Sequence, residues 1–199
     1  MTCRRFGTMR AMQLISVNTS RVEQFVATNG EALTSAIRKR ARTGRIAVGP
    51  LGLDGDEQAD PSVHGGLSKA VYAYPQEHYA VWASMRGQAG VDTALQPGDL
   101  GENLTLTGLL ETRAWIGDVL RFPDCEFIVS EPRQPCFKFN AHMGFKHAAK
   151  MMAQSGFCGF YLAVKREGSI AAGEGFELIP GPREVGIAEL FKAKMRKRD

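Results

Sequence analysis

The alternation of apolar and polar residues along the chain predicts many short β-strands. Some segments, such as 102–107, alternate apolar and polar residues, which is the pattern of a half-buried strand, whereas others are identified by their β-branched, apolar or aromatic content. The predicted strands are 12–17, 44–49, 70–74, 102–107, 118–122, 126–130, 160–164 and 176–179. The stretch 31–42 is ambiguous, because some of its apolar residues have helical spacing whereas 34–39 also alternates.

Helical periodicity is found in only a few segments. Pro75 opens a predicted helix that runs to about Arg86, with Glu77 in its first turn. Further helices are predicted from Asn140 to about Gln154 and over 184–196. Since short strands dominate and do not alternate with helices, the pattern predicts a mainly β fold, a β-barrel or rolled sheet with a few peripheral helices, rather than a doubly wound sheet.

Composition favours one globular domain. The chain has 199 residues, of which 44% are hydrophobic and 23% charged, so we expect a single domain over 1–199. No apolar run approaches the ~20 residues needed to cross a bilayer, and the N-terminus lacks the apolar core of a secretory signal, so we expect a cytoplasmic protein. Much of the net charge of +4 lies in the basic tail 192–198. No aromatic residues interleave with these cations, so nucleic-acid binding is not expected.

The four cysteines are scattered along the chain. Without a CxxC pair, the spacing of a zinc ribbon, a thioredoxin-like site or a cysteine-ligated iron–sulfur cluster is missing. Cys125 and Cys158 lie within apolar segments and are predicted core residues, whereas Cys3 is predicted to be a terminal thiol.

Cys136 is the cysteine whose sequence neighbours suggest chemistry. It stands between a predicted strand and a predicted helix, and Pro132 and Pro135 stiffen the approach to it. Arg133 and Lys138 place positive charge on both sides, which favours the thiolate, the form that attacks electrophiles and binds soft metals. The simpler interpretation is a small apolar side chain that closes a loop.

Two glycine-containing loops could bind an anion, and the first is 63–69. Its paired glycines, Gly65 and Gly66, leave backbone N–H groups accessible to a ligand. His64 and Lys69 could add positive charge. A glycine turn with surface charges explains the same pattern without a ligand.

The second glycine-containing loop is 97–104. Gly101 again allows close backbone approach, and Asn103 offers both a hydrogen-bond donor and an acceptor. The alternative interpretation is a polar lead-in to the strand that follows.

Other catalytic and binding motifs are missing or weak. No glycine-rich dinucleotide fingerprint follows a predicted strand, and no P-loop motif occurs, so nucleotide phosphate loops are unsupported. His142 and His147 are five residues apart, which places them on different helix faces and disfavours a zinc site. A pair of Cys136 and His64 for acyl transfer stays open, although no motif specifies it.

Taken in order, these loops resemble the MOSC domain family, named for the C-terminal part of molybdenum cofactor sulfurase. Within that family the resemblance is to the YiiM-like bacterial branch, associated with resistance to 6-N-hydroxylaminopurine. The resemblance covers about residues 30–180. The matching stretches are Gly52-Leu53-Asp54-Gly55-Asp56-Glu57-Gln58, His64-Gly65-Gly66, Tyr74-Pro75 with Glu77-His78-Tyr79, Gly101-Glu102-Asn103-Leu104, and Pro132-Arg133 with Pro135-Cys136 and Lys138. Longer relatives carry a helical C-terminal extension, whereas this chain stops after one predicted basic helix, so contacts made by that extension are not carried over.

The resemblance implies a β-barrel of the pyruvate-kinase-barrel type and a pocket for molybdenum cofactor, a metal held by the dithiolene of a phosphorylated pterin. It also implies that Cys136 is the catalytic residue, as a ligand of molybdenum or as a sulfur carrier. The residues expected to bind the cofactor are His64, Gly65, Gly66, Lys69, Gly101, Asn103, Arg133 and Lys138. This agrees with the chemistry, because a soft thiolate suits a sulfur-rich metal centre and a phosphate needs cationic and N–H donors.

Two functions use this thiol. The first is a reductase of small N-hydroxylated compounds that receives electrons from an external electron-transfer protein, because the chain has no flavin or iron–sulfur signature. The second is a carrier that passes a Cys136 persulfide to the cofactor or to another acceptor. A third function, a barrel that only binds a partner, applies if neither metal nor persulfide is found. The sequence does not predict the oligomeric state.

Overall fold

β-strands make up most of the regular structure. The computed structural model describes residues 11–27, 30–59, 65–91 and 94–196. Within these residues the strands are β1 (Gln13–Thr19), β2 (Glu23–Val26), β3 (Ala32–Ser35), β4 (Arg40–Ala41), β5 (Ile46–Gly49), β6 (Gly52–Leu53), β7 (Val71–Pro75), β8 (Leu104–Thr107), β9 (Val119–Arg121), β10 (Glu126–Pro132), β11 (Phe160–Arg166), β12 (Gly168–Ile170) and β13 (Glu177–Ile179). The α-helices are α1 (Tyr79–Gln88), α2 (Phe137–Met143), α3 (Ala148–Ser155) and α4 (Ile187–Arg196), and short 3-10 turns cover Leu67–Lys69 and Gln76–His78.

Eight of these strands form the main sheet, in the order β13-β9-β10-β11-β7-β8-β1-β4. Neighbouring strands are antiparallel except β7 and β8, which run parallel. Parallel neighbours require a crossover connection, and α1 lies in the segment that joins these two strands. Two smaller sheets have the orders β12-β5-β6 and β2-β3. The mainly β architecture with few helices is therefore confirmed.

Backbone hydrogen bonds also join β1 to the segment that precedes β13. Leu14 N donates to Glu174 O at 2.8 Å, and Gly173 N donates to Leu14 O at 2.7 Å. Phe176 N donates to Met12 O at 3.2 Å. Among the described residues, however, the order of the main sheet still begins at β13 and ends at β4. Closure of this sheet into a barrel therefore stays a prediction.

The core lies between the main sheet and the helices that cover it. Large side chains from several strands and helices are fully buried, and each contributes about 1.5–3 kcal/mol by leaving water. Examples are Leu14, Leu104, Phe127, Phe160, Trp82, Phe139 and Phe191. The rings of Trp82 on α1 and Phe139 on α2 meet edge to face, with centroids 5.5 Å apart. This contact anchors α2, the helix that follows Cys136, against the core.

The ambiguous stretch 31–42 is extended, not helical. It forms β3 and β4, and β3 pairs with β2 in a hairpin that the pattern did not predict. Leu33 is buried while its neighbours Ala32 and Thr34 are exposed, which is the period of a strand. The alternation, not the helical spacing, was the informative signal.

The single helix predicted from Asn140 to about Gln154 is wrong. The chain forms two helices there, and α2 begins at Phe137, three residues earlier than predicted. Gly144 adopts a left-handed conformation with φ of 80°, and its N–H closes the last turn of α2 on Asn140 O. A glycine at this position ends a helix because it adopts that conformation without steric cost.

Candidate functional site

A cleft opens beside the start of α2, with about 700 Å³ of empty space when the part open to solvent is counted. It is lined by residues from the β3–β4 region, the turn after β6, the segment leading into β7, the loop before β8, and the β10–α2 loop. Six of the predicted site residues line it: Lys69, Gly101, Asn103, Arg133, Cys136 and Lys138. The remaining lining residues are Ser35, Ala36, Ile37, Lys39, Asp56, Glu57, Gln58, Ala59, Ala70, Tyr72 and Tyr161. The structure therefore brings together residues that lie as far apart in the chain as Ser35 and Tyr161.

Cys136 lies immediately before the first turn of α2. Its backbone is extended, with φ of −126°, and its carbonyl accepts a hydrogen bond from Phe139 N at 3.0 Å. The thiol is partly exposed and forms no disulfide, whereas Cys125 and Cys158 are buried thiols, as predicted. The cleft therefore presents a reduced thiol that a ligand can reach.

Arg133 is a buried cation on the cleft wall. Its guanidinium carbon lies 4.8 Å from the ring centre of Tyr72 and 4.9 Å from that of Phe139, within the range of cation–π contacts. Nη1 donates to Leu100 O at 2.6 Å. Burial opposes the charge, but Tyr72, Tyr161 and Cys136 outweigh it and raise the pKa of Arg133 above its ordinary value. This positive charge is fixed in place beside Cys136.

A buried ion pair stands on another wall of the cleft, and the sequence did not identify it. Lys39 Nζ donates to Asp56 Oδ1 at 2.6 Å, and the side chains are only 8% and 7% exposed. Burial lowers the pKa of Lys39, and the attraction of Asp56 only partly offsets this. Asp56 lies in a stretch that carried the family resemblance, but no role was predicted for it. Lys39 lies in the ambiguous stretch, which hid its position.

Asn103 connects this ion pair to the sheet. Its Nδ2 donates to Asp56 Oδ2 at 2.8 Å and to Asn18 O at 3.2 Å, while its Oδ1 accepts from Tyr72 N at 3.0 Å. These bonds tie β1, β7 and the turn that carries Asp56 to one side chain. Asn103 is 4% exposed, so its amide holds the cleft walls together.

Lys69 and Lys138 add two more cations. Lys69 Nζ lies 3.7 Å from Glu131 Oε1 and 5.9 Å from the ring centre of Tyr161. Lys138 Nζ donates to Thr34 O at 2.8 Å, which ties the first turn of α2 to β3. Together with Lys39 and Arg133, four cationic side chains line the cleft, against the two carboxylates of Asp56 and Glu57. The cleft therefore favours an anionic ligand.

The glycines of the two predicted loops have different structural roles. Gly66 N donates to Gln58 Oε1 at 2.9 Å, in the turn that leads to Lys69. Gly65 and Gly66 are described but are not among the residues that line the cleft, and His64 lies outside the described residues. Gly101 has φ of 82°, and a Cβ there would lie 2.8 Å from Cγ1 of Ile37. A glycine at 101 is needed so that the β3–β4 segment can approach closely.

Glu102, next to Gly101, orders the 98–102 turn. Its carboxylate accepts hydrogen bonds from Gly98 N at 2.8 Å, Leu100 N at 3.1 Å and Thr105 Oγ1 at 2.7 Å, and also from the hydroxyl of Tyr79. Burial raises the pKa of Glu102, and these hydrogen bonds partly offset that rise. The Gly-Glu-Asn motif therefore shapes the cleft wall through buried polar contacts.

The two histidines of the α2–α3 region lie apart from the cleft lining. His142 Nε2 donates to Asp99 O at 2.8 Å, and His147 precedes α3 at an exposed position. In the part of the chain that the structure describes, no three His, Cys, Asp or Glu side chains are grouped to hold a metal ion. Across the same residues, every helix is too short or too polar to cross a membrane.

Comparison with known families identifies this arrangement. The profile of the MOSC domain matches residues 60–177, the region that carries Lys69, Gly101, Asn103, Arg133 and Cys136. The chain belongs to the MOSC domain family. The family predicted from the ordered motifs is therefore confirmed.

Individual relatives place the chain in the YiiM-like branch of the MOSC family. Protein YiiM of Escherichia coli is 37% identical over 160 residues, which cover 80% of this chain and 70% of that protein. The crystal structure of YiiM from Geobacillus stearothermophilus has a TM-score of 0.75 at 30% identity, covering 94% of this chain and 86% of that one. A protein of Gibberella moniliformis named "Reductase" is 34% identical over 171 residues, 85% of this chain but 29% of its own length.

Proposed function

We propose that the cleft binds molybdenum cofactor, with the Cys136 thiolate as a ligand of molybdenum, and that the protein reduces small N-hydroxylated compounds. The observation that carries the proposal is the placement of a reachable thiol in a cleft lined by four cations. Membership of the MOSC family and similarity to a fungal protein named reductase support an oxidoreductase.

The residues of the cleft fit such a cofactor chemically. A metal that arrives on a dithiolene brings sulfur ligands of its own, so one protein thiol can complete its attachment. The cofactor also carries a phosphate, for which guanidinium and ammonium groups are suitable partners. Arg133, Lys69 and Lys138 are the side chains that would hold it. Lys39 is a fourth cation of the cleft, but Asp56 neutralises much of its charge.

The cofactor, when bound, supplies the two-electron chemistry that converts an N-hydroxyl group to the amine and water. The chain contributes the thiol, the positive charge and the shape of the cleft. Arg133 keeps its charge in a buried position, so it needs no rearrangement when a ligand enters. Asn103 and Asp56 keep the walls in register through their mutual hydrogen bond. We expect the electrons to come from a separate electron-transfer protein.

The test uses protein purified from a host that makes molybdenum cofactor. We expect it to convert 6-N-hydroxylaminopurine or a simple amidoxime to the amine or amidine with reduced viologen as donor, and to show no turnover with NADH. The Cys136→Ala protein is the blank. Absence of product despite full molybdenum occupancy would refute the reductase. A Cys136 persulfide in metal-free protein would instead support the carrier function.

A further inference from the structure

Glu131 stands between two lysines on different parts of the fold. Its Oε1 lies 3.7 Å from Nζ of Lys69, and its Oε2 accepts a hydrogen bond from Nζ of Lys194 at 2.8 Å. The three side chains are 22–29% exposed, so they are partly shielded from solvent. One carboxylate therefore divides its interaction between a cation of the cleft and a cation of α4.

The backbone just before Lys69 is tied to β10, the strand that carries Glu131. Ser130 Oγ donates to Ser68 O at 2.5 Å, which fixes the turn next to Lys69 against this strand. The ammonium of Lys69 also faces the ring of Tyr161, which pairs with Glu131 across β10 and β11. With its backbone fixed, Lys69 responds to its surroundings mainly by movement of its side chain.

Helix α4 holds Lys194 in position against the same strand. Ile187 and Phe191 are 0% and 1% exposed and anchor the helix in the core. Trp115 forms a β-bridge with Gly186 just before the helix begins. Lys194 lies one turn after Phe191 on the same side of the helix, which directs it to Glu131.

We propose that α4 controls how firmly Lys69 is held, and thereby the affinity of the cleft for anions, through the carboxylate of Glu131. The proposal rests on the proposed function, in which Lys69 contributes to anion binding. Lys194 Nζ lies 2.8 Å from Glu131 and Lys69 Nζ lies 3.7 Å from it, so the carboxylate interacts more closely with the cation of α4 than with the cation of the cleft. Glu131 and Lys194 are positioning residues, since both act through Lys69.

This geometry predicts whether each substitution strengthens or weakens phosphate binding. Glu131→Gln removes the negative charge beside Lys69 and should strengthen phosphate binding about two- to fivefold, the range of a partly exposed ion pair. In Lys194→Met, Lys69 is the one of these two lysines that still interacts with Glu131. The carboxylate should then hold Lys69 more firmly and weaken phosphate binding by about the same factor. In the Glu131→Gln background, Lys194→Met should have little effect, because no carboxylate remains for it to release.

The control is Lys192→Met, which removes the same charge from an exposed position of α4. Two measurements are made on the cofactor-free protein at fixed ionic strength. Inorganic phosphate is titrated calorimetrically, and acylation of Lys69 by acetic anhydride is followed by peptide mass spectrometry. Glu131 restrains the side chain of Lys69 through their ion pair, so Lys69 should be acylated two- to fivefold faster in Glu131→Gln and slower in Lys194→Met.

The outcomes separate this inference from the proposed function. If Lys194→Met behaves like Lys192→Met in both measurements, or if Glu131→Gln leaves acylation of Lys69 unchanged, the coupling is refuted. If acylation follows the expected pattern but phosphate binds to no variant, the coupling between α4 and Lys69 is supported and the anion-binding cleft of the proposed function is refuted.

Discussion

Cys136 and Cys158 show how the same side chain takes different roles in two regions of one molecule. Cys158 lies just before β11, is fully buried, and directs its Sγ to Gly159 O at 3.2 Å. Burial raises its pKa well above the ordinary value, so it stays protonated. Cys136 is partly exposed and lies in a cleft with Arg133 and other cations. The setting, and not the residue type, determines which thiol can act as a ligand.

The two regions also differ in how they are stabilised. Around Cys158 the chain buries mostly apolar side chains, which gain stability from leaving water, and the one carboxylate nearby, Glu111, keeps hydrogen bonds from Gly159 N at 2.7 Å and His78 Nε2 at 2.8 Å. Around Cys136 it buries charged groups, Arg133 and the pair of Lys39 and Asp56, which are costly to bury unless each keeps its partner. Substitutions of single partners in the cleft should therefore be more damaging than truncations of the buried thiols.

The largest effect on stability is expected for Asp56→Asn. The substitution leaves the ammonium of Lys39 buried without its counter-charge, which should lower the free energy of unfolding by about 2–4 kcal/mol. Urea denaturation measures this change. Adding Lys39→Met removes the stranded ammonium and should restore part of the loss. Glu57→Gln, an exposed carboxylate of the same turn, is the control and should change stability by less than about 0.5 kcal/mol.

Arg133→Met should weaken cofactor retention by roughly tenfold to a hundredfold, because it removes a charge-assisted hydrogen-bond donor. It also leaves Leu100 O without its partner at 2.6 Å. Lys138→Met is the comparison, since that cation lies nearer the surface and should matter less. Metal content after gel filtration gives the result. Equal retention in Arg133→Met and the parent protein would show that the cofactor lies elsewhere.

The pH dependence of stability should reveal a half-buried histidine at the C-terminal end of α2. Burial lowers the pKa of His142 to about 4, from an ordinary value of 6.5. As pH falls from 6.5 towards 4, the unfolded chain binds this proton before the folded chain does, so stability is lost across that window. Because the ring is partly exposed, we expect a loss of about 1–2 kcal/mol.

The control for this pH effect is His142→Gln, whose amide can still donate to Asp99 O. Between pH 6.5 and pH 4 its free energy of unfolding should vary less than that of the parent. The difference between the two proteins should equal the contribution of the imidazole of His142. Urea denaturation at several pH values compares the two proteins. Parallel curves across this range would contradict a depressed pKa at His142.

The smallest effect is expected for Cys158→Ala, which should cost about 1 kcal/mol of stability by leaving a small cavity. It should not change the reaction of the protein with iodoacetamide at neutral pH, because the buried, protonated thiol is not the reactive one. Peptide mapping should find Cys136 alkylated and Cys125 and Cys158 protected. Alkylation of Cys158 in the folded protein would show that this buried thiol is not protected from reaction.

Much of the strand pattern was predictable because strands that are buried on one face alternate apolar and polar residues. The helical break at Gly144 was harder to predict, since a glycine within a periodic segment can be tolerated or can end the helix, and only its backbone conformation decides. The short strands β4 and β6 have two residues each, too few to show a period.

The candidate site was predictable where its residues carry recognisable motifs. Cys136, Arg133 and Lys69 lie in such motifs and do line the cleft. Lys39 was missed because it contacts Asp56, a residue 17 positions later, beyond β4, β5 and β6, and no local sequence pattern indicates such a pair. Gly101 was expected to allow close approach of a ligand. Its positive φ and its closeness to Ile37 already explain why a glycine occupies this position.

The most direct test of Cys136 as the ligand of molybdenum is the molybdenum and pterin content of the parent protein and of Cys136→Ala, both purified from a cofactor-competent host. We expect nearly stoichiometric molybdenum in the parent, and loss of nearly all of it in Cys136→Ala, which should unfold at almost the same urea concentration. Cys158→Ala should keep its metal although it is less stable. Equal molybdenum content in the parent and Cys136→Ala would contradict the claim that this thiol holds the metal.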